Sequence, residues 1–398
     1  MKFHSYNQAK NALANTTDLF DVGAILDIDG VVNTIKTLEF QELPINALAV
    51  LQGAFREINL LTGRYANLFA NQGVQKFVQC GFDFSKPFRY FAEMGGVEIC
   101  LVKETEIYEP GTKKITADHM RMLKIVDDPA KVEVNCNGQT LYWVAKLHAP
   151  EITSEVRDLI WQATKSAIAE QISSGALKSF GIMPNESVEV WADRLYNREL
   201  ENLTKGTVTT SRVPQEYADL AYAVNAEIGQ EVAQRINKAL VDYNQNQERK
   251  LQAIHHPSAG CVEVLFDGIN KFNAAKRIIQ QMDQTAGHKI KNIATFGDSY
   301  PDVLMAQAGV ELERNVTHFH LGSYENFVAN FKEEGNLSSD SVLAFPQFDT
   351  MYQNNPNIAS TVISGSVFWW LVENLQDQVK HARFTPWEAT INRFVAFM

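Results

Sequence analysis

Apolar positions fall into short blocks of alternating kind along the first third of the chain. "GAILDI" is a compact apolar run of strand length, whereas "ALAVLQGAFREI" spaces its apolar residues three and four apart, as a helix does. "NLLTGR" is a second short apolar strand that ends in a turn, and "YANLFANQGVQKFVQCG" is a second helix, stopped at Gly81. Such alternation predicts a parallel sheet with crossover helices. Between about Val97 and Cys261 the rhythm changes. "VEVNCNGQTLYWVA" predicts a hairpin turned at Asn137-Gly138, while "EITSEVRDLIWQATKSAIAEQI" and "QEYADLAYAVNAEIGQEVAQRINKALVDY" predict long helices that each bury one face. The alternation then resumes. "CVEVLF", "NIATF" and "VTHFHLG" read as strands, separated by helices at "NAAKRIIQQM", capped near Gly287, and "PDVLMAQAG".

The order predicts an α/β fold: a Rossmann-like, doubly wound parallel sheet interrupted by an inserted α+β domain. Core is expected over residues 1–96 and 262–335, the insert over 97–261, and a mostly helical extension over 336–398, with helices at "SGSVFWWLVENLQDQV" and "PWEATINRFVAF". A chain of 398 residues can bury two such cores. The formal net charge of -11 argues against a general nucleic-acid binder, which needs a basic stripe to neutralise phosphates. Cys80, Cys100, Cys136 and Cys261 form no C-x-x-C pair, so neither a zinc site nor a disulfide framework is expected. The first residues lack an apolar signal region and "VFWWLV" is too short for a membrane span, so a cytoplasmic protein with no membrane partner is expected.

Ligands of open parallel sheets sit beyond the carboxyl ends of the strands. There the first strand carries Asp27 and Asp29, two residues apart and so on one side. The second carries Thr62 with Arg64 beyond it; "FDGINK" offers Lys271, and "FGDSYPD" offers Asp298 and Asp302. Carboxylates gathered in one place repel unless a hard divalent cation sits among them, and an all-oxygen site suits Mg2+. A phosphate brought there finds hydrogen-bond donors and positive charge in Thr62 and Lys271. An aspartate can attack phosphorus, and Asp29 beside Asp27 can protonate the leaving oxygen and later take a proton from water.

"DIDGVV", "LTGR", "GINK" and "GDSYPD", in that order, resemble the four motifs of haloacid dehalogenase (HAD) superfamily phosphatases. The resemblance implies a nucleophile at Asp27, a general acid/base at Asp29, phosphate binding by Thr62, Lys271 and Arg64, and magnesium binding by Asp27, Asp29, Asp298 and Asp302. About 35 residues separate Asp27 from Thr62 and roughly 200 separate Thr62 from Lys271, which places the insert between the second and third motifs. That arrangement resembles the trehalose-phosphate, sucrose-phosphate and Cof-type branch, whose caps select small organic phosphates. Two positions depart from the family pattern: Phe272 follows Lys271 where glycine is usual, and Val31 stands where many members have threonine.

The resemblance thus implies a Mg2+-dependent phosphomonoesterase acting on a small phosphorylated metabolite such as a sugar phosphate. A phosphoprotein or phosphotyrosine phosphatase with the same core chemistry is an alternative, as is a binding protein on the same fold. His318 and His320 share one side of a strand, but with no further metal-binding residue nearby in sequence they read as core histidines. The run Lys113, Lys114, His119 and Arg121 reads as a solvated face.

Overall fold

The computed structural model describes residues 22–34, 39–103, 133–136, 138–330, 337, 341–345 and 349–374. In chain order the strands are β1 (Val22–Leu26), β2 (Glu57–Leu61), β3 (Arg89–Ala92), β4 (Val97–Lys103), β5 (Glu133–Cys136), β6 (Gln139–Leu147), β7 (Asn197–Arg198), β8 (Gly206–Thr209), β9 (Leu251–His256), β10 (Cys261–Phe266), β11 (Asn292–Gly297), β12 (Asn315–His320) and β13 (Val342–Ala344). The helices used below are α1 (Glu42–Leu51), α2 (Val74–Gln79), α3 (Ser154–Ser174), α4 (Val188–Leu195), α5 (Ala218–Ala239), α6 (Lys271–Ala286), α7 (Val303–Glu311), α8 (Tyr324–Asn330), α9 (Asp349–Asn354) and α10 (Pro356–Asn374).

A nine-stranded sheet runs in the order β13-β12-β11-β1-β2-β3-β4-β6-β5. Its pairs from β13 to β3 are parallel, and β4, β6 and β5 continue it antiparallel. β1 and β2 are buried at every position, as expected of central parallel strands covered on both faces. One face packs on α1, α10 and the phenylalanines around Phe69 and Phe77. The other face packs on α6 and α7 through Ile25, Leu61, Phe91, Ile278 and Met305. The fold is therefore α/β with a doubly wound core, and the chain order reverses direction between β11 and β1, where such sheets open a crevice.

A second core lies in the chain between Ala149 and Ile269. There α3, α4 and α5 pack with an antiparallel sheet of order β7-β8-β10-β9. β13, in the stretch 336–398 read as a loop and helices outside the core, pairs with β12 at the edge of the large sheet. Two further memberships differ from the sequence pattern. β4 and the β5–β6 hairpin, read as the start of the insert, extend the large sheet instead. "CVEVLF", read as a returning core strand, is β10 and pairs with β8 and β9 in the small sheet. Both differences have one cause: an apolar strand pattern reports burial, not which sheet supplies the neighbours. The hairpin is closed by two residues, of which Gly138 takes φ +75° while Asn137 lies outside the described residues. Lys113, Lys114, His119, Arg121 and the segment "PWEATINRFVAF" also lie outside them.

Candidate active site

At the end of β1 the Asp27 N–H donates to the Phe296 carbonyl (2.9 Å), extending the ladder with β11 by one bond. The chain then folds on itself, with the N–H groups of Val31, Val32 and Asn33 all donating to the Ile28 carbonyl. Gly30 makes this possible twice over. Its φ of +68° favours glycine, and a Cβ there would sit 2.1 Å from Asp298 Oδ2. The loops after β1 and β11 are therefore pressed together at this glycine.

Beside β1, Thr62 is fully buried at the tip of β2, and its hydroxyl accepts from the Arg64 N–H (3.1 Å). Lys271 opens α6, whose N-cap Asn270 accepts from the Asn273 N–H (2.8 Å). Asp302 closes a capping box, taking the Ser299 N–H (3.0 Å) and hydroxyl (2.7 Å) on Oδ2. This helix start and the acidic pair Asp298/Asp302 are thus one device.

Side chains from three separate chain segments converge here. Carboxylate oxygens of Asp27, Asp298 and Asp302 lie within 4.8 Å of one another. The Lys271 ammonium is 3.1 Å from Asp27 Oδ2 and bonds Asp302 Oδ1. Asp27 Oδ1, by contrast, is buried without a hydrogen-bond partner among the described residues. Burial pushes the Asp27 carboxyl up to about 7 although Lys271 opposes it, and Asp302 and Asp29 add to the rise. Asp298 is also raised well above the carboxylate range, by burial and then by Asp302 and Asp27. Burial would raise Asp302 too, but Lys271 and the Ser299 hydrogen bonds outweigh it and hold that carboxyl low. Lys271 is raised, because Asp27 and Asp302 overcome its own desolvation.

Asp29 stands outside this group of three and is tied to Arg64, Nε to Oδ2, at 2.8 Å. Arg64 Nη1 reaches 4.0 Å from Glu199, next to β7. Beyond it lies a buried ionic cluster that the sequence pattern did not reveal. Lys205 bonds Glu263, and His256 Nε2 lies 3.4 Å from Glu263 Oε2. A Cβ at Gly63 would lie 3.8 Å from Glu263 Oε1, so this cluster abuts the loop that carries Thr62 and Arg64. Burial opposes its charge, yet Lys205 and His256 hold Glu263 down at about 2. The available signal was a lone glutamate inside the apolar strand "CVEVLF".

Glu93 is a second residue missed by the sequence reading. It is fully buried in a left-handed conformation (φ +53°), followed by Met94 at +58°. Its N–H donates to the Arg64 carbonyl (2.9 Å) and that of Met94 to the Thr62 carbonyl (3.0 Å). Its carboxylate accepts from the Leu203 N–H (2.8 Å) and from the Thr204 N–H and hydroxyl (2.6 and 2.8 Å). One residue thus ties the β2 loop to the unit built on the small sheet. His318 and His320 are buried core residues: the first bonds the Thr295 hydroxyl (2.9 Å), and burial lowers both, to about 4 and about 3.

No protein-family model matches this chain, and no curated protein matches it. Several solved structures do. Trehalose-6-phosphate phosphatase of Aspergillus fumigatus aligns over 92% of this chain and 100% of its own, at 12% identity and a TM-score of 0.39. A haloacid dehalogenase-like hydrolase of Bacteroides thetaiotaomicron aligns over 84% and 98%, at 11% identity and 0.40. A HAD subclass IIB sugar phosphatase aligns over 85% and 99%, at 13% identity and 0.35.

Proposed function

We propose that this protein is a metal-assisted phosphomonoester hydrolase with Asp27 as its nucleophile. The observation that carries the reading is the meeting of Asp27, Asp298 and Asp302 with Lys271 at the switch point of a parallel sheet, with Asp29 beside them. The order of the four sequence motifs, and their resemblance to HAD phosphatases, supports the same reading.

The donor set suits Mg2+: all oxygen, with Asp27 Oδ1 unpaired among the described residues and two carboxyls raised first by burial and then by the acidic groups beside them, a repulsion that a cation would relieve. Asp27 and Asp298 would hold it directly, since both oxygens of Asp302 are engaged by Lys271 and Ser299. A bound magnesium ion supplies positive charge to the phosphate oxygens. Asp302 then keeps Lys271 aimed at Asp27, where its ammonium can take another phosphate oxygen.

In the first step a bond forms between an Asp27 oxygen and phosphorus while the ester P–O bond breaks. Asp29 gives its proton to the departing alcohol. In the second step Asp29 takes a proton from water, the water oxygen bonds to phosphorus, and the bond to Asp27 breaks. Arg64 holds Asp29 in place and borders the phosphate loop.

We assign residues 149–269 as the cap, because they have their own core and meet the catalytic loops through Glu199, Glu263 and the Glu93 bridge. A sugar phosphate is the substrate class proposed, on the resemblance of the four motifs and of the insert's position to the sugar-phosphatase branch. Among the described residues no helix is long and apolar enough to cross a membrane, and Cys80, Cys100 and Cys261 are free thiols. Both facts fit a cytoplasmic enzyme. The test is a phosphate-release screen over sugar phosphates, nucleotides and phosphopeptides with magnesium. Release confined to sugar phosphates supports the reading, preference for phosphopeptides replaces the substrate class, and release from none contradicts the activity.

A further inference from the structure

The C-terminal stretch has no place among the four motifs, yet α10 lies against two of the loops they build. Ser364 is fully buried, and its hydroxyl donates to the Val31 carbonyl (2.6 Å), two residues beyond Asp29. A serine in a helix interior ordinarily turns its hydroxyl back to its own preceding turn. Here it crosses to a loop 333 positions earlier in the chain. Val31 lies inside the tight turn that begins at Asp27, and its neighbours' carbonyls at Ile28, Val32 and Asn33 are taken by backbone N–H groups.

One helical turn on, and so on the same face, stands Phe368. Its ring meets Phe296 edge-on, with centroids 5.2 Å apart. Phe296 is the residue whose carbonyl receives the Asp27 N–H, and it lies two positions before Asp298. Between them, at Gly365, a Cβ would come within 2.5 Å of Leu43, so α10 is seated close against α1 there. A single helix face therefore bears on the loop of Asp27 and Asp29 and on the strand end that presents Asp298. Gly30 and Asp298 leave those two loops no slack.

We propose that Ser364 is a positioning residue: α10 is a strut that fixes the Asp27–Asn33 turn in register with Asp298, so the C-terminal stretch is a working part of the site. This role rests on the phosphatase reading above only for its effect on rate, not for its effect on the turn. The test compares wild type, Ser364→Ala, Ser364→Thr and Val367→Ala as full-length chains. Val367 is buried on α10, so its truncation loosens the helix's packing while leaving the hydroxyl bond in place.

Ser364→Ala is expected to speed amide exchange at Gly30–Asn33 about tenfold and to lower kcat for p-nitrophenyl phosphate about tenfold with KM within about twofold, since small misplacements of reacting groups carry costs of that order. Ser364→Thr, which keeps the hydroxyl, is expected to restore both. Val367→Ala is expected to lower the melting temperature with the turn's exchange and kcat unchanged. Should Ser364→Ala fail to fold, Ser364→Cys carries the comparison with a weaker donor. Exchange at the turn no faster in the Ser364 variant than in Val367→Ala overturns the proposal. Faster exchange at the turn with no turnover even in wild type upholds the strut and contradicts the phosphatase reading instead.

Discussion

Asp27 and Asp29 were legible as a pair because an apolar strand ending in two carboxylates has no packing reason to do so, and Asp298 and Lys271 followed from asking what the other strand ends carry. Glu93, Glu199, Lys205 and Glu263 were not legible. A charged residue in a sequence reads as solvated until its partner is known, and these partners come from segments far apart in the chain. Lys205 and Glu263 are both nearly fully buried, so truncating Lys205 leaves the Glu263 carboxylate buried without its ammonium partner, beside His256 at 3.4 Å. Lys205→Met is predicted to cost about 3–5 kcal/mol in urea unfolding at neutral pH. The pH dependence gives the sign. In wild type Glu263 lies below its unfolded value, so its contribution is present above that value and is lost as acid approaches about 2. In Lys205→Met, burial acts unopposed by that ammonium and raises the carboxyl, so the variant's deficit is predicted to shrink as pH falls toward about 5.

At the scale of elements, strands and helices were readable from periodicity, and partners were not. β10 has the fully buried pattern of a central core strand and sits in the small sheet; β4 and β6 extend the large one across a parallel-to-antiparallel change that no local signal marks. What joins the two sheets is equally non-local. Glu93 spends two left-handed residues to place one carboxylate on three donors of the Leu203–Thr204 segment. Glu93→Gln keeps the shape and loses the charge, and is predicted to destabilise by about 1.5–3 kcal/mol. Amide exchange at Leu203 and Thr204 is the check: it should rise more than exchange in β1 or β11, and a uniform rise would show that the bridge is not local.

For the whole molecule the buried cluster of Asp27, Asp298 and Asp302 is a stored cost. Asp27 and Asp298 lie above their unfolded values, so the folded chain holds protons that the unfolded one releases, and stability is lost as pH rises from about 4 to about 7. A divalent cation reverses that cost only where the carboxyls are ionised. Magnesium is therefore predicted to raise the melting temperature more at about pH 7.5 than at about pH 5, and Asp298→Asn to remove most of the difference. An equal shift at both pH values would mean that the ion binds elsewhere.

The most direct test of the account is hydrolysis of p-nitrophenyl phosphate by wild type and Asp27→Asn, each with magnesium and with excess EDTA. The amide removes the nucleophilic oxygen while nearly preserving shape, so turnover is predicted only for wild type with magnesium. Turnover that survives Asp27→Asn, or that ignores EDTA, would contradict the assignment of Asp27 and its cation as the centre of the chemistry.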